Sequence, residues 1–412
     1  MESAPTFSDS LTQSPRPPGL AIAAFLLVFI IGFTLRLFPS AGFDGIGYDE
    51  ALYRGYVNEL IRTGLGAFPD QAEGYVVRQQ SLPAAILPPT RFVYIFAAYL
   101  WHQASGAEAL DALHDVSCFF SILMLIVSTV FAWRLGGWRI ALGVAALMSC
   151  SPLQIHMSQH ALIDGVFAFW ATLCLWLLWE NLRKPGNAAW LAAYTAALAL
   201  LVLTKENAMF AYLGLLGLLG ANRWLRFGKI TSALLGVTVI GPLLGVVILI
   251  FLCGGLGTFI ATYHLLVAKA SVLPYAIATG DGPWYRYLVD LLLISPLILL
   301  LAWAALFQLR ATEKAPWYLA VFVGVTYLVM CNVRYGMNLR YATIWDLPLR
   351  YLSILSVGHL SGFLANRRAI AVVLAVMSLC VFDLRQYHLF FVQNDLYELV
   401  TGGLLRALKI LK

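Results

Sequence analysis

GLAIAAFLLVFIIGFTLRLF, residues 19–38, followed by GYDEALYRGYVNELIRTG, residues 47–64, is the stretch on which the reading of this chain turns. The first run is apolar over a length that crosses the roughly 30 Å hydrocarbon core of a bilayer. The second keeps a helical rhythm, with Leu52, Tyr56, Val57, Leu60 and Ile61 on one stripe and Arg54, Asn58, Glu59 and Arg62 on the rest. A span followed by an amphipathic helix predicts an interfacial segment over Asp49–Arg62, closed by Gly64 and opened by two adjacent carboxylates, Asp49 and Glu50. The apolar run is longer than the core of a signal peptide and Ser40-Ala41-Gly42 is a poor cleavage site, so the run is expected to stay as an anchor.

The rest of the chain extends this pattern. Its 412 residues are 61% hydrophobic and 12% charged, with a mean hydropathy of +0.80, which excludes a soluble globule and predicts an all-α polytopic membrane protein. About eleven spans are expected, near residues 19–39, 114–134, 138–155, 161–180, 187–203, 207–222, 231–253, 286–308, 316–331, 346–364 and 369–383. The cysteines Cys118, Cys150, Cys174, Cys253, Cys331 and Cys380 are scattered singly, which supports neither a disulfide framework nor a thiolate metal site. The net charge of +6 follows membrane topology and does not point to nucleic acid.

With the N-terminus inside, the inner loops collect Arg134, Arg139, Arg183, Lys184, Arg223, Arg226, Lys229, Arg310, Lys314, Arg367 and Arg368, against Glu180 and Glu313. This lysine and arginine asymmetry sets the orientation and puts Asp49 and Glu50 outside the cytoplasm. Residues 1–18 are then a cytoplasmic tail and 19–383 a membrane domain. Within it, 40–113 form a first extracytoplasmic loop with a second helical pattern, Thr90–Gln103, behind Pro88-Pro89. A further short amphipathic pattern runs from Leu256 to Ala270. Residues 384–412 are an extracytoplasmic tail in which Arg406, Lys409 and Lys412 alternate with Leu404, Leu405, Leu408 and Leu411, as in a surface-bound helix.

An apolar chain keeps ionised groups where water or chemistry requires them. Asp49 and Glu50 are about 100° apart on a helix, so one is expected to face a substrate while the other braces it, for instance through Arg54. The same pair suits a plain N-terminal cap. Arg36, near the end of the first span, either snorkels or finds a partner in Asp49, Glu50 or a bound phosphate. Asp164 is a second carboxylate for the same face, or a cap. His156, His160 and Asp164 have the spacing of one helical face, but Pro152 interrupts the helix, so a divalent metal is left open with no ligand set assigned. Lys205, in Thr204-Lys205-Glu206-Asn207, either pairs with Glu206 or holds a phosphate. Arg334, Arg340 and Arg350, with Tyr341, place guanidinium groups on the acidic face, which favours an anionic ligand over plain solvated charge.

Taken in order, these residues resemble the glycosyltransferase C superfamily. The carriers are the Tyr48-Asp49-Glu50-Ala51 helix start after the first span, the arginine before it, Pro88-Pro89, Asp164 after the third span, Leu203-Thr204-Lys205-Glu206 and Arg340-Tyr341. The branch most similar is that of bacterial relatives of dolichyl-phosphate-mannose protein mannosyltransferases and lipid A aminoarabinose transferase. The likeness is strongest over residues 20–215. It implies transfer of a sugar from a polyprenyl-phosphate donor to a lipid, glycan or protein acceptor, in a bacterial inner membrane, on the extracytoplasmic side. It also implies Asp49 as the catalytic carboxylate, Glu50 as its support and Asp164 as the second acid of the cavity. Lys205 and Arg340 would engage the donor phosphate, with Tyr341 and Arg36 beside it. Tyr48, Tyr53, Arg91, His160, Glu206 and Arg334 are candidate substrate contacts. Departures from the family pattern are Leu87 where a lysine often precedes Pro-Pro, His114-Asp115 in place of an arginine, and Pro348 at some distance from Tyr341.

One base and a lipid-phosphate leaving group imply inversion, without the paired acids of glycoside hydrolysis. The competing reading is a transporter or flippase for a lipid-linked or anionic solute, which would place charge at the bilayer midplane or on broken helices. A non-catalytic envelope scaffold is the third, and would make Asp49 dispensable.

Overall fold

The computed structural model describes residues 17–38, 47–270, 283–333 and 337–411. Most of the N-terminal tail and Arg334 lie outside these residues. Every regular element described is helical. In chain order they are α1 Gly19–Leu37, α2 Tyr48–Thr63, α3 Phe68–Ser81, α4 Phe92–Ser105, α5 Ala109–Ser149, α6 Pro152–Gln159, α7 Asp164–Arg183, α8 Ala188–Thr204 and α9 Ala208–Leu225. They continue with α10 Ser232–Leu252, α11 Leu256–Ala270, α12 Arg286–Ile294, α13 Pro296–Leu306, α14 Lys314–Met330, α15 Asp346–Leu360, α16 Arg368–Tyr387 and α17 Thr401–Ala407.

Local chemistry sets the ends of these helices. Ser151 caps α6 by accepting from the Gln154 amide at 3.3 Å, with Pro152 in the first turn where its missing N–H costs nothing. Asn187 and Thr231 cap α8 and α10 in the same way. The 41 residues of α5 are two helices joined at Gly137, whose φ of 82° leaves the helical region. The break divides the element between the two spans expected at 114–134 and 138–155.

Five of the described helices are long and apolar enough to cross a membrane, or six if one bent pair counts as a single span. This is fewer than the eleven read from hydropathy, because helices such as α8 and α14, at 17 residues each, are apolar but short. The span expected at 286–308 is divided into α12 and α13, which are bent by 120° to each other. Pro296 lacks an N–H and restricts Ser295, which sits at φ −141°, ψ 61°, so the helix stops and restarts there. The outside of the bundle is apolar, with Leu26, Ile30, Val239, Leu243 and Met377 all exposed, as a hydrocarbon solvent allows.

Inside, α1 packs on α5, α5 on α7 and α15, α8 on α7 and α10, and α9 on α14. Two buried arginines tie these layers. Arg36 donates to Ser121 Oγ at 2.9 Å and to the carbonyls of Gly32, Met148 and Ser149 at 2.8, 3.0 and 3.3 Å. The last two lie in the final turn of α5, whose carbonyl end favours a cation. Arg350 lies between Asp346 and Asp383 at 2.7 and 2.6 Å, while Ser151 and Ser295 donate to the two carboxylates. This is a closed clamp between α15 and α16, not a loop charge.

The expected loop helix at 90–103 appears as α4, begun after Arg91, and Leu256–Ala270 appears as α11. Between α2 and α4 lies α3, which the hydropathy reading missed. It packs on α11, and Lys269 Nζ donates to the Leu82 carbonyl at 2.6 Å and to the Gln79 carbonyl. The tail is also corrected. Its start continues α16 to Tyr387 and then a π-helical turn over His388–Gln393, and beyond Asn394 the described helix is Thr401–Ala407, with Leu404 and Ala407 buried against α12.

Candidate active site

The first turns of α2 and α7, the last turn of α8 and the 3₁₀ turn Leu339–Trp345 meet at one end of the bundle. Glu50 and Asp49 face apart there, as adjacent helical positions require. Glu50 is buried. Its Oε2 accepts from the Gly47 amide at 2.8 Å, and its Oε1 from the Ala161 amide at 2.8 Å and His160 Nδ1 at 3.2 Å. His114 Nε2 lies 3.5 Å away, which gives the His114-Asp115 step a structural reading; Asp115 accepts from Trp101 Nε1 at 2.9 Å. Burial alone would raise the Glu50 carboxyl, but the hydrogen bonds from His114, His160 and Gly47 outweigh it and hold the group well below the usual carboxylate range. The expected brace through Arg54 is absent, since Arg54 is exposed and Glu50 points inward.

Asp49 keeps partial contact with solvent, its side chain 21% exposed, with Oδ2 3.3 Å from Arg340 Nη2. Arg340 is buried, and its guanidinium also reaches Glu398 at 3.3 Å and Asp164 at 4.0 Å. Asp164 in turn accepts from Lys205 Nζ at 2.6 Å, and that ammonium sits 4.5 Å from the centre of the Tyr341 ring. Lys205 thus pairs with Asp164 and not with its neighbour Glu206. Glu206 takes both Arg91 Nε, at 3.2 Å, and Arg91 Nη2, while Arg91 Nη1 reaches the Tyr53 hydroxyl. Tyr53 is buried edge-on against Tyr94 at 5.2 Å, which turns the buried stripe of α2 to Tyr53, Val57 and Leu60.

Asp49, Asp164, Lys205, Arg340 and Tyr341 are therefore gathered at one point, with Arg91, Glu206 and Tyr53 in an adjoining brace. Arg36 is elsewhere, spent on the α1–α5 contact described above, and Tyr48 is 62% exposed on the outer side of α2. His160 supports Glu50. The His156, His160, Asp164 trio does not converge. His156 stacks on Phe391 at 4.1 Å and its Nε2 donates to the Tyr397 carbonyl, while Asp164 turns to Lys205. Among the described residues no group of three or more His, Cys, Asp or Glu side chains is placed to hold a metal ion.

Two residues of this cluster were not among the sequence candidates. Tyr397 lies under the Arg340 guanidinium at 5.7 Å and meets His160 edge-on at 5.0 Å. Glu398 joins Arg340 to Asn338 Nδ2, 2.5 Å away. A cavity of about 190 Å³ lies at the opposite end of α7, among Gly136, Trp179, Arg183, Lys314 and Tyr351, away from these carboxylates.

A helical membrane bundle with this arrangement has the glycosyltransferase C fold. A family model described as dolichyl-phosphate-mannose-protein mannosyltransferase matches residues 112–267, less than half of the chain. Among solved structures, ArnT from Cupriavidus metallidurans in the apo state aligns with a TM-score of 0.55 at 17% identity, covering 85% of this chain and 61% of that one. The same protein bound to undecaprenyl phosphate aligns with 0.50 at 15% identity, covering 94% and 74%. The oligosaccharyltransferase of Archaeoglobus fulgidus in its apo form aligns with 0.56 at 14% identity, covering 89% and 56%. At these identities the likeness is one of fold, and the chain spans only 61% of the apo ArnT chain. No curated protein matches the sequence.

Proposed function

We propose that this chain is a multi-pass membrane glycosyltransferase that moves a sugar from a polyprenyl-phosphate donor to an acceptor hydroxyl or amine, with inversion. In this reading the cluster faces the extracytoplasmic side of a bacterial inner membrane, as the lysine and arginine asymmetry favours. The observation that carries it is the pairing of a half-open carboxylate with buried cations. Asp49 lies 3.3 Å from Arg340, and Lys205 adjoins through Asp164. With Oδ2 on Arg340, Oδ1 of Asp49 is the atom that takes the acceptor proton. The acceptor oxygen or nitrogen then bonds to the anomeric carbon, and the bond to the phosphate oxygen breaks with its electron pair going to the phosphate. Arg340 and Lys205 meet the charge developing there. Asp164 orients Lys205 and Glu50 orients the start of α2, so both are positioning residues. General-base help of this kind is worth about 10²–10⁴-fold, and fixed cations at a departing phosphate contribute on a similar scale.

The test is transfer from a panel of radiolabelled polyprenyl-phosphate sugars by purified protein in lipid nanodiscs, comparing wild type with Asp49→Asn. Loss of about 10²–10⁴-fold in kcat is expected for the variant. Full activity in Asp49→Asn removes it as the base. Transfer from no donor, together with solute flux in vesicles, favours a transporter instead.

A further inference from the structure

We propose that the cavity at the far end of α7 binds a single phosphate group, as presented by an anionic lipid headgroup or by a phosphate ion. It lies where α7, α14, α15 and the second half of α5 meet, at the end of the bundle that the lysine and arginine asymmetry turns toward the cytoplasm. Its volume of about 190 Å³ falls below the roughly 300–1,000 Å³ of a site for a drug-sized molecule, so it takes one compact group. The inference does not depend on the transferase reading.

Donors of three origins converge on this cavity. The first is the start of α14. Residues 312–316 line the wall, and a helix start leaves the amides of Lys314 and Ala315 without intrahelical acceptors while presenting the positive end of the helix dipole. No side chain caps it, because Glu313, in the capping position, turns its Oε2 back to the Arg310 amide at 2.9 Å. The second origin is a pair of cations. Arg183 lies 5.4 Å from the centre of the Trp179 ring, and Lys314 Nζ donates to the Ala311 carbonyl at 3.0 Å. The third is Tyr351. Its side chain is only 2% exposed yet lines the cavity beside Gly136, where a Cβ would fall 2.7 Å from the Tyr351 hydroxyl oxygen. That hydroxyl makes no hydrogen bond to any described residue. A buried hydroxyl left without an acceptor costs free energy, and a phosphate oxygen supplies one.

The surrounding charge agrees. A hollow alongside, sharing Trp179 and Arg183 with the cavity, adds Lys184 and the Arg134–Glu180 pair. Both carboxylates of the region are already engaged, Glu313 as above and Glu180 with Arg134 at 2.6 and 2.7 Å and with Trp176 Nε1 at 3.1 Å. Arg183 and Lys184 form no ion pair among the described residues. The frame is fixed, since Tyr318 of α14 meets Trp179 of α7 edge-on at 4.9 Å and donates to the Leu175 carbonyl at 2.8 Å. Membrane orientation accounts for the cations alone. It does not account for a buried tyrosine hydroxyl and an uncapped helix start that share one cavity with them. Leu135, Ile140 and Leu355 complete the wall with apolar surface that suits the first carbons of a lipid, and basic hollows between membrane helices are where headgroups bind.

The experiment measures binding to the full chain in maltoside micelles, which hold no phosphate. One arm titrates phosphatidylglycerol, with diacylglycerol as its phosphate-free control, and the other titrates inorganic phosphate. Wild type is compared with Tyr351→Phe, Lys314→Gln and Arg223→Gln, the last an exposed cation of the same face that lines neither hollow, with a melting curve for each. Binding is expected to weaken about tenfold in Tyr351→Phe and in Lys314→Gln, the scale of one hydrogen bond to a charged group, and to stay unchanged in Arg223→Gln. Saturation by phosphatidylglycerol alone assigns a lipid headgroup, by inorganic phosphate alone a soluble ion, and by both the phosphate itself. Absence of binding in both arms overturns the site, as does equal binding of diacylglycerol. Binding that Tyr351→Phe and Lys314→Gln leave intact, or that Arg223→Gln weakens as much, is general surface charge and overturns it too. Either of the two cavity variants that stays folded decides the matter without the other.

Discussion

Lys205 Nζ lies 2.6 Å from Asp164 Oδ1, so a lysine just past the end of α8 and an aspartate at the start of α7, 41 positions apart, lock two helices at the site. Removing one partner leaves the other buried and unpaired, which costs about 3–5 kcal/mol. Asp164→Leu is expected to lower the melting temperature sharply. Asp164→Leu with Lys205→Met should recover most of that stability while remaining inactive. A double variant no more stable than the single one would show that the pair does not carry the packing.

Glu50 and Asp49 are expected to separate by readout. Glu50→Gln weakens the grip of Ala161 and His160 on α2, so it should lower both the melting temperature and activity. Asp49→Asn should leave stability within about 0.5 kcal/mol, as for a partly exposed side chain, and remove transfer. Melting curves and initial rates on the same preparations decide this; a stable, inactive Glu50→Gln would move the base assignment toward Glu50.

Stability should fall with acid in two stages. Burial pushes His156 and His160 below their ordinary 6.5, so the unfolded chain binds more protons and native stability declines as pH drops below that value. Glu50 is held below its ordinary 4.5, and its contribution, complete above that pH, is lost as acid protonates it further down. Melting temperature against pH in His156→Asn with His160→Asn should lose the upper stage and keep the lower. Persistence of the upper stage would assign it to other groups.

Arg36→Met should destabilise the α1–α5 contact by about 1–3 kcal/mol for each carbonyl left without a donor. Undecaprenyl phosphate affinity should not change. A large loss of affinity with an unaltered melting temperature would return Arg36 to the donor site.

Charged groups at the site were legible because an apolar chain has few of them. Asp49, Asp164, Lys205 and Arg340 stood out singly, and the fold brings them within hydrogen-bonding or ion-pair distance. Arg36 misled for a physical reason: its partners are carbonyls and a serine, and backbone acceptors leave no mark in a sequence. Helix α3, with its sequence FPDQAEGYVVRQQS, carries too little apolar periodicity to stand out, and is kept by contacts with α11 that lie far along the chain. Glu398 and Tyr397 were hidden because the tail reads as an amphipathic surface helix. Its ordered role depends on the burial of Leu399 and Leu404 and on Asn338 and Leu339, distant in sequence, meeting Glu398 and Leu399 in space.

The contact between Asp49 and Arg340 spans 291 positions. During synthesis α2 emerges early, whereas the arginine follows only after α14 has been made. A growing chain therefore carries its proposed base into the bilayer without the cation that completes the cluster. Such long-range closure is slow and late in folding. Under the proposed function, partly inserted protein would be unable to handle a lipid-linked sugar, so that the transfer would be confined to molecules whose helices are already in place.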